Sequence, residues 1–157
     1  MFLARECVAP AGHGPPIPAR ADSMQDRGST TRPGGTSNDV SRSATAGLVA
    51  SALGGRAVAS AESCTAGRIC EALATVTGAS DWFRGGVVAY QEPVKRALLD
   101  VEAASVLSEQ AAAEMATGVA ELLEADVSVA TTGVAGDEPV DGVAPGTVFI
   151  ATCVGGS

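Results

Sequence analysis

The chain has one histidine, one tyrosine and one lysine among 157 residues, and these scarcities narrow the chemistry open to it. His13 falls in a tract of Gly, Pro, Ser, Thr and Arg over residues 10–38. That tract has too little apolar side chain to offset the entropy of ordering, so nothing would hold His13 as a catalytic base and a His-dependent triad is unavailable. Positive charge is short as well: 18 acidic residues against 10 basic ones give a formal charge of -8. Phosphate-backbone attraction therefore supplies no general affinity for DNA or RNA, and no nucleic-acid partner is expected. The four cysteines, Cys7, Cys64, Cys70 and Cys153, contain no C-x-x-C pair. This argues against a zinc site and a dense disulfide framework and fits a reduced, cytoplasmic setting. No apolar run approaches a membrane span, and the opening MFLARECVAP is broken by Arg5 and Glu6 before the core of a signal peptide can form. The phosphate-binding patterns G-x-x-x-x-G-K-[ST] and G-x-G-x-x-G are missing, and so is G-x-S-x-G.

What is present is enough apolar sequence, 46%, for one core of ordinary size. Residues 1–38 read as a disordered extension, within which Met24 is a second candidate start. Ser37, Asn38 and Asp39 then offer N-cap chemistry to an Ala-rich helix over residues 40–53, which Gly54 and Gly55 terminate. Residues 57–61 read as a buried strand, followed by a turn at Glu62 and Ser63 and a helix with Ile69, Leu73 and Val76 on one side. Gly85 and Gly86 lead into a strand over residues 87–90, and Pro93 sits where the first turn of a helix tolerates it. A helix from Ser108 to about Leu123, a strand over residues 127–130 ending in Thr131, Thr132 and Gly133, an acidic loop, and a strand over residues 146–151 complete the series. Alternating helices and short apolar strands predict an α/β domain over residues 39–157, its sheet sandwiched between helices in three layers. Ligands of such sheets favour the carboxyl ends of strands, where Ser63, Tyr90 and Thr132 fall.

A serine between a strand and a helix has free backbone amides beside it and can act as a nucleophile, but position alone fits a helix N-cap better. Thr65 carries the same ambiguity, and Glu62 reads as either a partner of the helix dipole or a group that orients the site. With His13 set aside, Lys95 is the remaining base for Ser63. It is the one lysine against nine arginines, and a desolvated lysine can release a proton where arginine cannot. A solvated surface lysine is the plain alternative. Tyr90 precedes Lys95 by five residues across a strand-to-helix turn, so both can approach one crevice, although a strand-end aromatic explains it equally. Thr132, before Gly133, can donate to a ligand or cap the turn.

The runs A-E-S-C-T-A-G (61–67), W-F-R-G-G-V-V-A-Y (82–90), V-K-R-A-L-L-D-V (94–101), S-E-Q-A-A-A-E-M-A (108–116), T-T-G-V-A-G (131–136) and P-G-T-V-F-I-A (145–151) occur in an order and spacing that resembles the CinA carboxy-terminal domain family. The resemblance implies hydrolysis of nicotinamide mononucleotide to nicotinate mononucleotide and ammonia. It matches Ser63, Lys95 and Tyr90 to the catalytic serine, lysine and tyrosine, and Thr132 to a site threonine. Thr65, Cys64 and Gly133 are the neighbouring substrate-binding candidates. It implies a small-molecule nucleotide substrate, no cofactor and no metal; because relatives self-associate, a homo-oligomer is compatible with it. Ala66 stands where the family's E-S-C-T-G-G run has glycine, and residues 91–93 differ from the family's Asn-rich approach to the lysine. Relatives also continue past the position of Ser157 through a strand and a helix carrying a G-D-R-like segment. Without these, an exposed sheet edge and apolar face are expected, and so is a domain that binds nucleotide with impaired turnover as the alternative function. Arg68 and Arg84 are the conjectured substitutes for the missing arginine.

Overall fold

The computed structural model describes residues 3–4 and 37–155. In chain order its elements are β1 (Leu3–Ala4), α1 (Ser37–Leu53), β2 (Val58–Glu62), α2 (Arg68–Ala74), β3 (Phe83–Val88), α3 (Glu92–Leu99), α4 (Glu109–Leu122), β4 (Val127–Gly133) and β5 (Val148–Val154), with a 3-10 turn at Ala79–Asp81. Among the described residues no helix is long and apolar enough to cross a membrane.

Small and apolar residues suit β2 to the centre of a sheet, and every one of its positions is buried. The sheet order is β1-β5-β4-β2-β3; β2 runs parallel to both β3 and β4, and β5 runs antiparallel to β4. The connection from β2 to β3 carries α2 on one face, with α1 packed beside it, while α3 and α4 lie on the other. This is the expected three-layer α/β/α sandwich. Because the β2-to-β3 connection covers one face and the β3-to-β4 connection crosses back over the other to the far side of β2, the strand order reverses between β2 and β4. A crevice opens at the carboxyl ends of the strands at such a reversal.

The larger core lies under α3 and α4, where Leu99, Met115 and Val119 meet Ala59, Ala61, Ala89, Ala130 and Ala151. Small sheet residues let the helices sit close. Gly118 on α4 takes this furthest: a Cβ there would run into the main chain of Leu99. Ser108 caps α4 as expected, its hydroxyl oxygen accepting from the Ala111 amide at 3.1 Å.

Several element boundaries differ from those expected. β3 begins at Phe83 instead of residue 87, because pairing with buried β2 starts at Val58 and Phe83 and draws both glycines into the strand. Gly86 is there of necessity, since a Cβ would collide with the Cys70 sulfur and the Ser60 hydroxyl. β5 starts two residues late and runs on to Val154, as its antiparallel ladder with β4 continues to Val127. The disordered extension expected over residues 1–38 is corrected at both ends. Leu3 and Ala4 pair with Ala151 and Thr152 on the otherwise open edge of β5, and Ser37 and Asn38 are already in α1. His13 and Met24 lie outside the described residues. Val148 and Val154 are exposed on β5.

Gly118→Ala is expected to destabilise the fold by roughly 1 to 3 kcal/mol through overpacking against Leu99, despite alanine's better helix propensity. Gly47→Ala, on α1 with open space around its Cβ position, is expected to stabilise by about 0.5 to 1 kcal/mol. Urea unfolding of the two variants measures both, and equal shifts of one sign would refute the assignment.

Candidate active site

Glu62 ends β2 and Ser63 begins the turn into α2. Parallel pairing sets Glu62 beside Thr131 and Val88, and the Ser63 amide donates to the Thr131 carbonyl oxygen at 3.0 Å. Ser63 and Ala89, which follow their strands, therefore lie level with Thr132 near the end of β4, with Tyr90 one residue beyond. Ser63 is buried at 5% exposure, and its hydroxyl forms no hydrogen bond among the described residues.

The turn is tight. Ala66 and Gly67 both take left-handed backbone, with φ of 50° and 92°. Glycine adopts this freely, whereas alanine does so at about 1 to 2 kcal/mol, so Ala66 carries strain that the family's glycine would not. Glu62 is what holds the turn in shape. Its wholly buried carboxylate accepts from the amides of Gly67 (3.0 Å) and Ile69 (3.1 Å) through Oε2, and from Cys70 (2.8 Å) through Oε1. Burial pushes this carboxyl up, but the Cys70 and Ile69 amides and the Thr65 hydroxyl together outweigh it and hold the group below the ordinary carboxylate range. The Thr65 hydroxyl also pairs with that of Thr131 at 2.8 Å.

Lys95 approaches from α3, whose first turn accommodates Pro93 as expected. At 2% exposure it is nearly sealed, and Nζ donates to the Tyr90 carbonyl oxygen at 3.2 Å. Burial pushes the amine below the ordinary lysine range; the neighbouring Cys64 and Glu92 pull the other way and do not restore it. Desolvation likewise pushes the Cys64 thiol up, against the amides of Cys64 and Thr65 and the charge of Lys95. Lys95 thus sits within electrostatic reach of the residue after Ser63.

Ser63, Lys95 and the Tyr90 main chain are brought to one strand end. The Tyr90 ring is not: it is 62% exposed, and it is the carbonyl that meets Lys95. Thr132 is fully buried and donates to the Val106 carbonyl oxygen at 2.7 Å, which leaves only its acceptor side for a ligand. Gly133 has a packing reason, because a Cβ there would strike the main chain of Thr147 and Val148. Arg68 and Arg84 are both exposed, on α2 and β3. Sequence reasoning passed over Thr131. The Thr-Thr doublet is its signal, since alternation along β4 must turn one hydroxyl toward each face.

Comparison with known proteins bears on the same segment. The model of the CinA C-terminal domain matches residues 42–157. A putative competence-damage inducible protein of Bacillus velezensis is 43% identical over 101 residues, covering 61% of this chain and 24% of that protein. Protein MG115 of Mycoplasma genitalium is 40% identical over 103 residues, covering 62% of this chain and 66% of its own length. This chain therefore spans about a quarter of the first relative and about two thirds of the second. The crystal structure of the competence damage-inducible protein A from Klebsiella pneumoniae superposes with a TM-score of 0.69 at 33% identity, over 72% of this chain and 75% of that one. With this family's model matching from α1 past β5, and a solved relative sharing the fold, the chain belongs to the CinA C-terminal domain family.

Proposed function

We propose that the chain hydrolyses the carboxamide of nicotinamide mononucleotide, with Ser63 as nucleophile and Lys95 as its base. The observation that carries this reading is the sealed lysine: an amine held below its ordinary range by burial, at the same strand end as the buried residue Ser63. Neutral Lys95 takes the Ser63 proton as Oγ attacks the carboxamide carbon. The tetrahedral oxyanion is held by the Cys64 and Thr65 amides. Lys95 returns the proton to the departing nitrogen, ammonia leaves, and water attacks the acyl-enzyme by the same proton path in reverse. Tyr90 assists Lys95 once substrate draws its exposed ring inward, and Thr132 accepts a substrate hydrogen bond through its remaining lone pair. The reaction belongs to pyridine-nucleotide salvage and is placed in the cytoplasm.

A second reading keeps the fold and the ligand without turnover. It is favoured by the Thr132 hydroxyl being engaged by Val106 and by the exposure of the Tyr90 ring.

Ammonia release from nicotinamide mononucleotide is expected from the wild-type chain and is expected to fall by at least about a thousandfold in Ser63→Ala. Wild type and variant that both bind the nucleotide and are equally inactive would select the second reading. Lys95→Arg keeps the charge but cannot supply a base, so a loss of about 10²- to 10⁴-fold is expected; undiminished turnover in that variant would remove Lys95 from the mechanism. Because the base must be neutral, kcat/KM is expected to rise as pH increases through a midpoint below the ordinary lysine range, and a pH-independent rate would contradict it.

A further inference from the structure

The amides at a helix start lack partners within the helix and commonly receive an anion from a ligand. Here the place is filled from within. Six of the eight amides from residue 63 to residue 70 donate to an oxygen. Ser63 donates to Thr131, Ala66 to Ser63 and Arg68 to Thr65, all through carbonyl oxygens. Gly67, Ile69 and Cys70 donate to the Glu62 carboxylate. Only the amides of Cys64 and Thr65 have no oxygen acceptor among the described residues.

We propose that Glu62 is a positioning residue: by occupying the start of α2 it fixes the turn that presents the Cys64 and Thr65 amides beside Ser63, and it denies that start to a phosphate. A phosphate approaching α2 finds its donors already engaged and a fixed negative charge behind them. The two remaining amides adjoin the nucleophile, so they serve the oxyanion, and the substrate phosphate is held elsewhere. This assignment of the two amides rests on the amidase reading; the filling of the α2 start does not.

Glutamine at position 62 retains one acceptor oxygen, turns an NH2 group toward donors, and loses the charge. In Glu62→Gln, kcat is expected to fall about a hundredfold, the scale of a small misplacement of reacting groups, with KM changed less than about threefold because Thr132 is untouched. A role in stability alone would lower the melting temperature and leave kcat per folded molecule unchanged, which would overturn the proposal. An independent measurement uses the wild-type protein and inorganic phosphate. On titration, the amide NMR signals of Gly67, Ile69 and Cys70 are expected to stay in place and to exchange with solvent more slowly than those of Cys64 and Thr65. Phosphate-induced movement of the first three would overturn it even if Glu62→Gln fails to fold. If wild type releases no ammonia while these three signals stay fixed and protected, the amidase reading falls and the filled α2 start stands.

Discussion

A carboxylate wholly buried at the end of the central strand must be compensated by donors, because an unpaired buried charge carries a penalty of several kcal/mol. In this chain the compensation comes from the main chain that follows Glu62: three amides of the next turn and the Thr65 hydroxyl converge on it. Meeting that demand bends residues 63–67 into a turn that needs left-handed backbone at Ala66 and Gly67. It also ties the first turn of α2 to the end of β2. The position of Ser63 follows from that bend and from its own amide bond to Thr131.

Lys95 is the opposite case. It is as deeply buried as Glu62, yet its amine has one neutral carbonyl as hydrogen-bond partner. Little compensates its charge, so burial favours the neutral amine. Two ionisable groups on adjoining elements are thus pushed apart in character: a carboxylate kept charged to hold the backbone, and an amine eased toward the form that can accept a proton. Such separation is what the proposed amidase reading asks of a carboxylate that positions and an amine that serves as base.

Local signals in the sequence were the reliable ones. Ser108 and Glu109 marked the start of α4, Gly54 and Gly55 the end of α1, and Pro93 the first turn of α3, since caps and breakers act over a few residues. Long-range pairing was not legible. The forward extension of β3 depends on Phe83 meeting Val58, and the exit of β5 at Val154 depends on Val127. Ser63 stands out only through the ordered motifs that resemble the family, since position alone fits a helix cap, and Lys95 stands out as the one lysine of the chain. Sequence alone fits Glu62 to a helix-dipole partner and to an orienting group alike, because its reach to three amides exists only once the turn is folded. Thr131 was hidden for a related reason: which threonine of a doublet faces α2 is set by the register of β4 on β2.

The burial of one amine ties the fold to the chemistry, and the composition makes it directly observable. Lys95 is the only lysine of the chain, so its side-chain Cε resonance is unambiguous in a carbon-labelled sample. Titrating that signal should give a midpoint below the ordinary lysine range, coinciding with the rise in kcat/KM for ammonia release. A midpoint within the ordinary range would mean that the amine is solvated and charged at neutral pH, and Lys95 would no longer serve as the base for Ser63.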